Sequence, residues 1–141
     1  MEILNEMKIE FLSRTSNESF ARVTVSAFIS QLDPTLNELS DIKTAVSEAV
    51  TNAIVHGYGD SMGVIILTTR IYKDKKIEIS VKDMGMGIED ILKARQPLFT
   101  TGNTDERSGM GFTVMESFMD EVLVESGVGK GTTVILKRCL S

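Results

Sequence analysis

The chain has no tryptophan, one cysteine (Cys139) and one histidine (His56). A single cysteine permits neither an intrachain disulfide nor a cysteine-based zinc site, which fits a reducing cytoplasm. Aromatic residues supply only 6% of the sequence, so aliphatic side chains and eight methionines are expected to fill the interior. Basic residues are too few for a nucleic-acid surface: 15 Lys and Arg stand against 20 Asp and Glu, a formal charge of −5. Affinity for a phosphate backbone comes from clustered Lys and Arg, so direct nucleic-acid binding is not expected. No apolar run approaches the roughly 20 residues that cross a bilayer, so no membrane partner is expected either. The opening segment, Met1-Glu-Ile-Leu-Asn-Glu6, carries acid where a signal peptide carries base. What is present is 141 residues of 42% hydrophobic composition, enough for one globular domain over residues 1–141.

Hydropathy periods divide the chain. Met7, Ile9 and Phe11 alternate with Lys8 and Glu10, which predicts a first strand. Thr15-Ser-Asn-Glu18 has the spacing of a capping box, and a helix is expected from there to about Gln31. After a break at Asp33-Pro34-Thr35, a longer helix is expected over about 35–56, stopped by Gly57 and Gly59. Strands follow at about 63–72 and 76–83, joined by a turn at Lys73-Asp74-Lys75. A short helix is expected near 88–95. Residues 97–108 (PLFTTGNTDERS) show neither period, and so long a loop in a compact domain is usually functional or disordered. From Gly109 a helical pattern runs to about Met119, and strands at about 121–126 and 131–137 flank a glycine-rich turn. Strands paired mainly through hairpins, with helices in separate runs, predict an α+β sandwich: helices on one face of a mixed, mostly antiparallel sheet.

Three places carry candidate chemistry. In the long helix, Val46, Val50, Ala53 and Ile54 recur at helical spacing, while Glu48 and Asn52, four apart, share one flank beside that stripe. A carboxylate and a carboxamide can both offer oxygen to a hard cation, although a solvated helix face would look the same. In the strand ending at Asp83, Ile77, Ile79 and Val81 take one face, and Asp83 has their parity. It should point to the helix-covered side, where an unpaired carboxylate is expensive. Met84-Gly85-Met86-Gly87 then turns tightly and exposes backbone, so a buried acceptor beside it suits a nucleobase amino group. An Asp that only accepts from its own turn is the other reading.

Ser108-Gly-Met-Gly-Phe112 opens the last helix, where free N–H groups and the positive dipole end suit an anion, typically phosphate. No Walker P-loop pattern is present. Thr132 shares parity with Val134 and Leu136, which puts its hydroxyl at the same inner end of the sheet. Gly127 and Gly129 read as an ordinary hairpin turn. The first helix carries two apolar stripes, Phe20/Val23/Ala27 and Val25/Phe28/Ile29/Leu32. One stripe suffices for a core, so an oligomer or partner surface is expected there. Glu18 and Arg22, four apart, have the spacing of an ordinary surface pair.

The ordered set E-x-x-x-N (Glu48, Asn52), D-x-G-x-G (Asp83, Gly85, Gly87), a lid, G-x-G (Gly109, Gly111) and G-T (Gly131, Thr132) resembles the Bergerat-fold ATPases: gyrase, heat-shock protein 90, histidine kinases and MutL. The resemblance spans about residues 42–136 and implies a two-layer α/β sandwich. A histidine kinase would need a dimerisation helix bearing a phosphoacceptor His. Here the one His, His56, ends the nucleotide-binding helix, as a capping or pocket-wall residue. Within the group, the phrases AVSEAVTNAIVHGY, VKDMGMGIED, QPLFTTG and ERSGMGFTVMESFMD are most similar to the bacterial anti-sigma factor serine/threonine kinases, especially those acting on sporulation sigma F.

That resemblance implies roles. Asp83 would accept from the adenine amino group of ATP or ADP, with Gly87 and Thr132 completing the base site and Gly85 in the same turn. Asn52 would hold Mg²⁺. Gly109, Met110 and Gly111 would bring backbone donors to the phosphates, with Thr101 a further nucleotide contact in the lid. Glu48 would be the general base, and Arg107 would reach the γ-phosphate. Glu18 and Arg22 would face a sigma factor and an anti-anti-sigma protein, whose serine is the phosphate acceptor. A homodimer through the N-terminal part is implied too. Two alternatives share the fold: a switch ATPase, and a nucleotide-gated binding module without kinase activity.

Overall fold

The computed structural model describes residues 2–85, 107–127 and 129–141. The chain runs through β1 (Ile3–Leu12), α1 (Asn17–Ile29), a 3₁₀ turn (Ser30–Leu32), α2 (Leu36–Asn52), a π-helical turn (Ala53–Tyr58), β2 (Val64–Tyr72) and β3 (Lys76–Asp83). It then continues with α3 (Arg107–Phe118), β4 (Glu121–Gly127) and β5 (Gly131–Cys139). The helix expected near 88–95 and most of the 97–108 loop lie outside the described residues.

The strands form one sheet in the order β1-β2-β3-β5-β4. Every neighbouring pair is antiparallel, so among the described residues the sheet is not the mixed one expected. The reason is topological. β4 runs parallel to β3, but β5 returns by a hairpin and inserts between them, so no parallel pair is adjacent.

The two-residue period then sorts the side chains. Ile65, Leu67 and Ile71 of β2, Ile77, Ile79 and Val81 of β3, and Val134 and Leu136 of β5 are all buried. They meet Ile42, Ala45, Val46, Ala49 and Val50 of α2, and Phe112 and Met115 of α3, in one core. Each such Val, Leu, Ile, Phe or Met side chain contributes about 1.5–3 kcal/mol by leaving water. Residues of the other parity carry charge: Arg70 pairs with Glu6 at 2.6 Å and with Glu78 at 3.8 Å. Methionine fills less of the interior than expected. Met115 and Met119 are buried, but Met62 and Met84 are exposed. On α1, Ala21, Val25 and Ile29 face the core, whereas Phe20 and Val23 of the Phe20/Val23/Ala27 stripe are exposed.

The capping box sits elsewhere than expected. Ser16, just before α1, already has helical dihedrals (φ −64°, ψ −22°) and no side-chain cap bond. Glu18 instead accepts from the Ser47 hydroxyl and lies 3.7 Å from Arg22. The box forms at α2, where extended Thr35 accepts from the Glu38 amide at 3.1 Å and donates its own amide to Glu38 at 2.9 Å. The other Glu38 oxygen accepts from the Ser141 amide at 2.8 Å. Those backbone donors, Ser141 first and Thr35 second, hold the Glu38 carboxyl down at about 2. Among the described residues no helix is long and apolar enough to cross a membrane.

Candidate nucleotide site

Of the predicted site residues, Asp83 and Gly85 lie where β3 ends, Thr132 where β5 begins and Asn52 where α2 runs out. The helix does not stop at His56. Beyond Asn52 it widens into a π turn through Tyr58, with the Gly59 amide donating to the Ile54 carbonyl at 3.0 Å. Gly59, at φ +58°, is the residue that ends it. Gly57 therefore lies inside a helical turn, and the turn presses its backbone onto the end of β3. A β-carbon on Gly57 would stand 2.6 Å from Asp83 Cγ, and one on Gly85 would stand 1.6 Å from the Gly57 carbonyl oxygen. Neither position has room for a side chain.

Asp83 is 2% exposed, as its strand parity requires. Its Oδ1 accepts from the Gly85 amide at 2.9 Å, and the Thr132 amide also donates to the carboxylate. Burial pushes the carboxyl above the ordinary aspartate range, and the two donors pull it back part of the way. The two readings of this Asp thus coexist: it closes its own turn and is a buried acceptor. Thr132 is paired with it across the β3–β5 ladder and is buried. The Thr132 hydroxyl, 2.7 Å from Ser126 Oγ, is engaged by β4. Gly131 must be glycine twice over: its φ is +76°, and a β-carbon would meet the Asp83 carbonyl oxygen at 2.1 Å.

Asn52, the last residue of α2, is buried. One turn earlier, Glu48 is half-buried, and its Oε2 lies 3.1 Å from where a β-carbon on Gly111 would stand. Gly111 of α3 is thereby set over the Glu48 carboxylate. No cluster of three or more His, Cys, Asp or Glu exists among the described residues. A cation here would fit the mode in which one protein oxygen, from Asn52, is supplemented by ligand oxygens and water, as Mg²⁺ prefers. Arg107, Gly109 and Met110 fall on the first turn of α3, but their side-chain environment lies outside the described residues. Gly87 and Thr101 lie outside them altogether.

One residue of the site was not picked out from the sequence. Tyr58 Oη accepts from the Met84 amide at 2.8 Å and donates to the Val64 carbonyl at 2.6 Å. Its signal was an aromatic between two glycines just past the E-x-x-x-N helix. Glu18 and Arg22 lie on the α1–α2 surface. There a groove of about 380 Å³ is lined by Arg22, Lys43, Ser40, Thr44 and the largely exposed Leu36, among others. A second cavity of about 390 Å³, at the Lys76–Cys139 end of the sheet, contains none of the predicted site residues.

Residues 12–138 match the histidine kinase-like ATPase domain model. The chain belongs to this family. An ATP-using, nucleotide-binding domain is what that membership means. The chain is 61% identical over 134 residues to the anti-sigma F factor of Geobacillus kaustophilus, covering 95% of this chain and 92% of that one. It is 59% identical over 137 residues to the anti-sigma F factor of Clostridium novyi, covering 96% and 95%. Its fold is similar to that of the RsbU and RsbW domains of a Mycobacterium tuberculosis protein. The TM-score is 0.69 at 20% identity, over 96% of this chain and 32% of that one.

Proposed function

We propose that the chain is an anti-sigma factor with ATP-dependent protein-serine kinase activity. It binds and inhibits an RNA polymerase sigma factor of the sporulation sigma F kind, and phosphorylates a serine of an anti-anti-sigma protein in the cytoplasm. Two observations support this reading: Asp83 is a buried acceptor packed against Gly57, and Glu48 is a separate carboxylate set beside Gly111 of α3. Their companion is the likeness to anti-sigma F factors over nearly their whole length.

In this reading Asp83 accepts the adenine amino group, and the bare backbones of Gly57 and Gly85 let the base lie close. The carboxamide of Asn52 holds Mg²⁺, which when bound offsets the charge of the phosphates. Backbone donors in the first turn of α3, Gly109 among them, face those phosphates. Glu48 accepts the proton of the partner's serine as that oxygen attacks the γ-phosphorus; the bond to the bridging oxygen breaks and ADP leaves. Arg107 counters the charge that grows on the transferring group. Partners dock beside Glu18 and Arg22. The exposed Phe20 and Val23 belong to a homodimer surface.

The test is transfer of labelled γ-phosphate from ATP to an anti-anti-sigma protein, with water as the competing acceptor. Label on a serine supports the kinase. Label only in free phosphate points to a switch ATPase, and ATP binding without release of label points to a nucleotide-gated binding module.

A further inference from the structure

We infer that Tyr58 is a positioning residue for base recognition: its hydroxyl ties the turn that carries Asp83 to the π turn and to β2. The inference rests on the reading of Asp83 as the adenine acceptor. Tyr58 Oη uses its lone pair and its proton on two backbone groups from different elements, the Met84 amide at 2.8 Å and the Val64 carbonyl at 2.6 Å. The residue just before it, Gly57, is the one whose backbone touches both the Asp83 carboxylate and Gly85. The ring is half-buried and lies close on Gly63, where a β-carbon would stand 2.1 Å from Tyr58 Cε1. The phenol therefore spans the space between the start of β2 and the exit of β3.

The alternative to this tie is a loose turn. Met84 is 60% exposed, so water can take over its amide when the hydroxyl is absent. Loss of the hydroxyl then leaves the fold largely intact, while the direction of the Asp83 carboxylate is less tightly set. A π turn inserted at the end of a helix is a frequent device at functional sites. Here it brings Gly57 and Tyr58 together onto β3.

Base discrimination is the readout that a merely structural tyrosine would not move. Inosine carries a carbonyl where adenine carries the amino group, so a well-aimed Asp83 rejects it. Calorimetric titration with ATP and ITP, magnesium present, compares wild type, Tyr58→Phe and Asp83→Asn. Tyr58→Phe is expected to bind ATP roughly 3- to 10-fold more weakly, with a smaller ATP-to-ITP preference and a melting temperature close to wild type. Wild-type affinity and preference in Tyr58→Phe, beside a weakened Asp83→Asn, would overturn the inference alone. No ATP-over-ITP preference in the wild type would overturn the adenine reading, and this inference with it. A second measurement needs no variant. The Met84 amide of the wild-type chain is expected to exchange slowly with solvent despite the residue's exposure, and fast exchange there would overturn the tie.

Discussion

Gly57 faces the Asp83 carboxylate so closely that a β-carbon at position 57 would stand 2.6 Å from Cγ. The π turn that follows α2 and the end of β3 are thus one packed unit, and the candidate base site inherits its shape from that contact. Gly85 completes it from the other side, 1.6 Å separating its would-be β-carbon from the Gly57 carbonyl oxygen. Gly85→Ala must push the two backbones apart. Overpacking of this kind costs about 1–3 kcal/mol. Melting by calorimetry should show a lower transition temperature, and ATP titration a loss of affinity of at least about tenfold.

Asp83→Asn separates stability from function. Desolvation by burial, the largest cause, raises the folded carboxyl above the ordinary aspartate value of 3.8. The native state therefore holds this proton more tightly than the unfolded chain. The stabilising contribution is complete below pH 3.8 and is lost as pH rises through the higher folded value. At neutral pH the wild type bears the penalty of a buried charge and the asparagine variant does not. The variant should melt at or above the wild-type temperature while binding ATP about 10- to 100-fold more weakly, since a hydrogen bond to a charged group is lost. Unchanged affinity would remove Asp83 from base recognition.

The parts legible in the sequence are those governed by a regular period. Ile77, Ile79 and Val81 placed Asp83 on the buried face, and Val134 and Leu136 placed Thr132 beside it, as the ladder confirms. Val46, Val50, Ala53 and Ile54 were readable as the core stripe of the long helix for the same reason. A π turn obeys no 3.6-residue rule, so Gly57 read as a terminator although it lies within the turn, and Tyr58 was passed over. The capping boxes show why local spacing does not suffice. Thr15 and Glu18 have the same Thr-x-x-Glu spacing as Thr35 and Glu38. However, Ser16 is already helical, and Glu18 is drawn away by Ser47 and Arg22. The direction of β4 relative to β3 depends on where β5 inserts, which no local pattern encodes.

Glu38 should act as an acid-sensitive fastener. Its carboxylate closes the capping box and accepts from the Ser141 amide. The folded pKa of about 2 lies below the ordinary 4.5, so its contribution is full above pH 4.5 and fades as pH falls through about 2. Glu38→Ala should lower stability by about 1 kcal/mol at pH 7, as loss of a cap does. Urea denaturation at pH 7 and at successively lower pH checks this. The gap between wild type and variant should narrow in acid, and a gap independent of pH would contradict the assignment.

In the proposed reaction Glu48, set beside Gly111 of α3, does chemistry and leaves binding to other residues. The most direct test is single-turnover transfer of the γ-phosphate from ATP to the partner's serine by Glu48→Gln, with ATP affinity measured on the same preparation. Affinity is expected to stay close to wild type and transfer to slow by about 10²–10⁴-fold, the contribution of a general base. Transfer at the wild-type rate with ATP bound normally would contradict it.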